Sequence, residues 1–249
     1  MNPAYVIVGH RGAMAHAPEN SVESFRLAEQ AGVDEIELDV RLTADGVAIV
    51  LHDATLDRVA ADESGRGLGP VAELTLEQIR GVVLDSGRPV LTFEEALDAT
   101  TVDLQVEIKA AEVVPEVARI VRSRPADAGR IRFTSFQPEA LSLLARHAPD
   151  VPRGLITTGY PATDRHPDGI EAVLAATGCS TFYCGWDGLT ADLVERMRDG
   201  GYAMHGWPLR TAEDVQRALD LGLGGGTADD PRIARTWLQD AHARRADAG

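Results

Sequence analysis

The stretch DEIELDV, Asp34 to Val40, decides how this chain folds. Read as a strand, it places Ile36, Leu38 and Val40 on one face and Glu37 and Asp39 on the other, because successive side chains of an extended chain point to opposite sides. The apolar face calls for a covering layer of helices. In a barrel the acidic face is also interior, and buried carboxylates are costly unless they are paired or bound to a metal. The strand therefore predicts both a closed sheet and a partner for its acids.

The same device recurs in VDLQVEIK, 102–109, where Val106 and Ile108 share one face and Glu107 and Lys109 the other. Further strands are expected at 5–9, 130–135, 152–157, 180–185 and 202–206, with a weak one around 221–228 because its GGG run, 224–226, packs no side chains. Helical patterns fill the intervals at 20–31, 93–100, 112–124, 137–147, 168–177, 190–199 and 211–221, and a last one follows at 231–245. Thr92 and Thr211 stand where hydroxyl N-caps belong.

Eight strands each followed by a helix predict an α/β fold closed as a TIM (β/α)8 barrel, and 249 residues agree with the roughly 250 typical of that fold. No linker or solenoid-length repeat divides the chain, so residues 1–249 are expected to form a single domain. One segment, about 44–89, breaks the rhythm: ADG joins two extended runs as a hairpin, ESGRGLGP reads as a loop, and LTLEQIRGV as a short helix. It predicts a short insertion in the second βα unit, beside the barrel mouth and too small for a dependable core of its own.

A formal charge of −15, from 39 acidic and 24 basic residues, opposes nucleic acid and stable attachment to anionic membranes. A small anionic substrate would need a locally positive site or a bound cation. No segment has the length and apolarity of a membrane span or the pattern of a secretory leader, so a cytoplasmic protein is expected. Cys179 and Cys184 lack metal-ligand spacing and read as reduced structural thiols, and His16 reads as a solvated loop residue. Nothing in the sequence sets the oligomeric state.

Glu37, Asp39 and Glu107 converge from adjacent strands as hard oxygen ligands suited to one divalent ion, Mg²⁺ or Ca²⁺. The competing reading is a metal-free salt-bridge network around Lys109, but one lysine cannot neutralise three carboxylates. His10 ends the first strand in GHRG, and His52 ends the run VAIVLHD. Both are expected at the C-terminal rim, where barrel enzymes place their chemistry, and a histidine pair can divide general-acid and general-base work. Arg11 offers a planar fork matched to phosphate oxygens, or else an ion pair to Glu19 or Glu37, and Gly12 permits close backbone approach. In APENS, Asn20 or Ser21 fits a helix cap. Trp186, His205 and Trp207, at the ends of later strands, are candidates to line a substrate pocket.

Taken together, GHRGAMAHAPENS, EIELDV, the DG turn, LHDATLDR and VEIK resemble the glycerophosphodiester phosphodiesterase family from Val8 to about Lys109, and more faintly through Ser135–Phe136 and Trp207. The resemblance implies a metal-dependent TIM-barrel hydrolase that splits a small-molecule glycerophosphodiester into sn-glycerol 3-phosphate and an alcohol. Carried over by motif, His10 and His52 would be the acid/base pair, and Glu37, Asp39 and Glu107 the metal ligands. Arg11 and Lys109 would then be the cations that offset phosphoryl charge. Within the family the nucleophile is either water or the substrate's own 2-hydroxyl. The chain departs from the family pattern at WPLR, 207–210, and GGGTADDP, 224–231, departures that bear on the substrate pocket rather than the catalytic centre. Competing readings are a lysophospholipase D-like or other polyol-phosphate diesterase, and a non-catalytic barrel that binds a phospho-ligand. An aromatic content of 5% and the absence of a basic amphipathic helix weigh against a membrane substrate, and the presence of both histidines weighs against a silent barrel.

Overall fold

A computed structural model describes residues 5–162, 166 and 169–247. Among them the sheet has nine strands: β1 (Val6–Gly9), β2 (Glu35–Leu42), β3 (Ala48–Val50), β4 (Asp103–Ile108), β5 (Ile131–Ser135), β6 (Arg153–Gly159), β7 (Thr181–Asp187), β8 (Ala203–Trp207) and β9 (Gly225–Ala228). Eight of these pair in parallel, in the order β1-β9-β8-β7-β6-β5-β4-β2, and β1 pairs with β2 to close the ring. The expected TIM barrel is therefore present, with helices packed around it. The helix expected over 168–177 runs Ile170–Thr177, and Asp168 lies outside the described residues.

The ninth strand comes from the hairpin. β2 overshoots the barrel rim, turns at Gly46 in the left-handed region (φ 81°), and returns as the antiparallel β3, with Val40 opposite Val50 and Leu42 opposite Ala48. Residues beyond β3 then build a small core with it, in which Ile49, Leu51, Leu56, Val59, Val71, Ile79, Val82 and Val90 are buried together. The inserted segment thus buries a small apolar cluster that is shared with β3. It can be small because β3 is already anchored to β2.

Alternation along β2 and β4 sorts the two faces as their sequences require. Ile36, Leu38, Val40, Leu104, Val106 and Ile108 are all buried in the main core beneath the helices. Glu35, Glu37, Asp39, Gln105 and Glu107 fill the barrel interior, with Glu37 level with Gln105 and Asp39 level with Glu107. Lower in the barrel, Glu35 pairs with Arg132 of β5 at 3.2 Å. Thr92 and Thr211 do cap their helices, each in a reciprocal capping box with the residue three positions on, worth typically ~1 kcal/mol apiece.

The glycine run forms a fully buried strand that bridges β1 and β8. The reason is steric: a Cβ on Gly225 would come within 2.7 Å of both the Val6 carbonyl and the His205 ring, and one on Gly226 within 2.7 Å of the Tyr5 hydroxyl. What reads in isolation as a weak strand has glycine at the two positions, 225 and 226, where a side chain would meet bulky neighbours. No helix among the described residues is long and apolar enough to cross a membrane.

Candidate active site

At the C-terminal rim, β2 and β4 deliver the three carboxylates. Glu37, Asp39 and Glu107 are all buried, and one oxygen from each lies within 4.8 Å of the others. Lys109 Nζ reaches Glu107 Oε1 at 2.5 Å and Asp39 Oδ1 at 2.9 Å, and Asn20 Nδ2 donates to Asp39 Oδ2 at 2.9 Å. Burial and the neighbouring Asp39 push Glu37 and Glu107 above the usual carboxylate range. Burial also opposes the charge of Asp39, but Lys109 and Arg11 hold it below that range.

One lysine thus leaves the cluster short of positive charge, and Glu37 Oε1 is buried without a hydrogen-bond partner. A set of three hard oxygens, one of them unpartnered, fits a divalent cation and is costly without one. The Lys109 network is present, and the same three carboxylates could hold a divalent ion.

His10 ends β1 directly above this cluster, its Nε2 4.0 Å from Glu37 Oε2 and its Nδ1 2.6 Å from Asp229 Oδ1. Burial resists a charge on the ring, but the Asp229 hydrogen bond and the Glu37 carboxylate prevail and raise its pKa. His52 arrives from the other side, on the chain leaving β3. Arg41 donates from Nε and Nη2 to the His52 carbonyl at 2.9 and 2.6 Å, and His52 Nδ1 is 2.6 Å from Asp53 Oδ1. Its pKa falls, chiefly because of burial, although Asp39 and Asp53 oppose the shift. Each histidine is thus fixed through Nδ1 by an aspartate, and the Nε2 of His10 faces Glu37. The environments push the two rings in opposite directions.

Arg11 is engaged by acids. Its Nη1 donates to both Glu19 oxygens at 3.0 and 3.1 Å, its Nε lies 3.3 Å from Asp39 Oδ2, and its backbone N–H donates to Glu37 Oε2 at 3.0 Å. Arg11 sits in the left-handed region at φ 49°, followed by Gly12 at φ 87°. Gly12 is required because a Cβ there would overlap the Ser24 hydroxyl at 2.0 Å, so the close approach it permits is to the first helix. The two alternatives in APENS separate: Ser21 caps the helix Val22–Gln30 through Ser24 N, while Asn20 serves Asp39.

Of the later aromatics, Trp207 lines the cleft above the carboxylates together with Phe136, Ile156, Tyr183 and Thr227, and meets Phe136 edge to face at 5.9 Å. Trp186 and His205 are not brought there. Trp186 Nε1 donates to the Pro208 carbonyl, and its ring carries Arg217 outside the barrel lumen. His205 points into the sealed lumen against Tyr183, at a centroid distance of 5.1 Å. The side-chain parity of β8 places it one layer below Trp207. His16, expected to be solvated, is paired with Asp230 at 2.7 Å because the loop after β9 folds back over it. Asp229 and Arg58 escaped the sequence reading; Asp53, adjacent to His52 in the quoted HD pair, carried a readable signal.

Comparison with known proteins follows from this geometry. The profile of the Glycerophosphoryl diester phosphodiesterase family matches residues 10–233. A glycerophosphodiester phosphodiesterase of Caldanaerobacter subterraneus subsp. tengcongensis is 27% identical over 241 residues, covering 91% of this chain and 94% of that one. A solved structure from Silicibacter pomeroyi DSS-3, named provisionally as a glycerophosphoryl diester phosphodiesterase, superimposes with a TM-score of 0.86 at 28% identity, covering 97% and 95% of the two chains. An Oleispira antarctica phosphodiesterase in complex with the product sn-glycerol-3-phosphate shares the fold, with a TM-score of 0.81 at 19% identity over 95% of this chain and 97% of that one.

Proposed function

The chain belongs to the glycerophosphoryl diester phosphodiesterase family, and from that premise we propose how its residues divide the hydrolysis of a glycerophosphodiester into sn-glycerol 3-phosphate and an alcohol. The observation that carries the assignment is the pair of aspartate-held histidines flanking a buried three-carboxylate cluster.

Glu37, Asp39 and Glu107 would hold one divalent ion, Mg²⁺ or Ca²⁺, which when bound would supply positive charge to offset that of the phosphoryl group. Lys109 and Arg11, held at the floor of the site by their carboxylate partners, add fixed positive charge where negative charge develops. His52, with its lowered pKa, is neutral at physiological pH, so its Nε2 accepts the proton of the attacking hydroxyl. His10, whose pKa is raised by the Asp229 hydrogen bond and Glu37, is the better proton donor of the two and supplies a proton from Nε2 to the departing alkoxide. Asp229 and Asp53 stabilise the rings in these roles.

The cleft over the carboxylates is small, about 40 Å³, and suits the phosphoryl centre. A second hollow of about 290 Å³ shares Phe136 and Ile156 with it and runs out past Thr157, Thr158, Tyr160 and Asp187, giving room for one arm of the diester. Residues 1–249 act on this reading as one catalytic unit, with the 44–89 segment supplying His52.

The test is release of glycerol 3-phosphate from glycerophosphocholine, glycerophosphoethanolamine and glycerophosphoglycerol, with Mg²⁺, Ca²⁺ or chelator. Turnover that needs the cation and falls by roughly 100- to 10,000-fold, to a residual measurable rate, in His10→Ala and His52→Ala supports the assignment. Cation-replete protein that releases nothing from any diester rejects it.

A further inference from the structure

Arg58 lies in the inserted segment, six residues past His52, and each of its three guanidinium nitrogens donates to a carboxylate. Nε donates to Asp53 Oδ2 at 2.6 Å, while Nη1 and Nη2 donate to Glu19 Oε2 and Oε1 at 2.7 Å each. Glu19 belongs to the loop after β1 and is almost buried, 8% exposed, and it is gripped from its other side by Arg11. Asp53 spends its remaining oxygen on His52 Nδ1. A single fork thus ties the loop that carries Arg11 to the insertion, and within the insertion it holds the aspartate behind His52.

An exposed arginine paired with one surface acid contributes little. Arg58 differs in two respects. Its bonds to Glu19 form a two-pronged match that a planar fork makes and an ammonium does not, and its third nitrogen acts on a carboxylate in direct contact with a histidine of the site. Asp53 is otherwise free to rotate, because the ring and the guanidinium account for its side-chain hydrogen bonds among the described residues.

We infer that Arg58 is a positioning residue: by fixing Asp53 against Glu19, it sets the ring orientation and tautomer of His52, keeping the proton on Nδ1 and directing Nε2 to the reacting centre. This rests on the function proposed above in making His52 the base. The insertion then takes part in the chemistry, because it carries both the histidine and the clamp that aims it.

The experiment compares wild type with Arg58→Lys, Arg58→Met, His52→Ala and the double variant His52→Ala/Arg58→Met. It measures kcat and KM for cation-dependent release of glycerol 3-phosphate, thermal melting, and ¹⁵N NMR of imidazole-labelled protein. Loss of an orienting partner one step removed from a site residue typically costs roughly 10–100-fold. The expected result is a fall of that size in kcat for both single Arg58 variants, with KM within about twofold and melting close to wild type. In the His52→Ala background, Arg58→Met should cost no more than about twofold further, because the residue it aims is gone. In the spectrum, the His52 resonances should move from a protonated Nδ1 towards mixed tautomers, and Arg58→Lys should not restore them.

Wild-type kcat in Arg58→Met overturns the inference, as does an equal fold-loss in the presence and absence of His52, or an unchanged His52 tautomer. If Arg58→Met does not fold, Arg58→Lys carries the same readouts. Wild type that turns over no diester rejects the proposed function instead, and the tautomer measurement still decides the role of Arg58.

Discussion

Asp229 Oδ1 lies 2.6 Å from His10 Nδ1, joining residues 219 positions apart across the seam where the last barrel strand meets the first. This contact holds the His10 ring with Nε2 facing the carboxylate cluster. Asp229→Asn keeps the shape but can present an amide donor to Nδ1, which favours the wrong tautomer. We expect kcat to fall by at least about tenfold while cation binding and KM change little. Steady-state kinetics alongside a cation titration measures this, and an unchanged kcat would remove Asp229 from the mechanism.

Metal and charge can be separated at Glu37. In the cation-free protein, burial and Asp39 make its carboxylate a liability, so Glu37→Gln should melt at the wild-type temperature or above it. Wild type should gain stability on adding Mg²⁺ or Ca²⁺, about 2.7 kcal/mol at a concentration 100 times Kd, and Glu37→Gln should gain far less. Thermal melts with and without cation decide the matter. Equal cation-induced shifts in the two proteins would place the ion elsewhere.

His205 supplies a pH dependence remote from the carboxylate cluster. Burial, with Arg132 adding to it, drives its pKa from the ordinary 6.5 down to about 3. Between those values the unfolded chain binds the proton more readily than the folded one. Its contribution is therefore intact above pH 6.5 and is lost as pH falls towards 3, with a slope of up to about 1.4 kcal/mol per pH unit. Denaturant melts from pH 7 to pH 4 should show a shallower decline for His205→Gln than for wild type. Parallel curves would mean that the ring is not sealed from water.

The glycine strand should resist the smallest enlargement. Gly225→Ala drives a methyl group to within 2.7 Å of the Val6 carbonyl and the His205 ring, so backbone or ring must shift. Overpacking of this kind costs typically ~1–3 kcal/mol. A midpoint in urea matching that of wild type would show that the seam is looser than described.

The barrel and its chemistry were legible to different depths. Alternation in DEIELDV and VDLQVEIK is a local property, so the strands, their two faces and the convergence of Glu37, Asp39 and Glu107 follow from the residues themselves. His10 and His52 were legible as strand-end histidines, and Asp53 stands beside its partner. Asp229 was hidden because its meaning depends on ring closure, and Arg58 because a guanidinium's reach to Glu19 crosses 39 residues of chain. His205 and Trp186 misled for a subtler reason. A strand end fixes neither height nor side: one step puts Trp186 on the outer wall, and two steps put His205 a layer below Trp207 on the same inner side.

The seam between β1 and β9 also has a consequence for biosynthesis. During translation β1 emerges first, yet one of its two edges stays unpaired until Gly225–Ala228 leave the ribosome. His10 waits equally long for Asp229. The carboxylates all lie in the part of the chain made before Asp229, but His10 gains its Asp229 partner only when the ring shuts, so closing the barrel also orients the ring proposed as the acid.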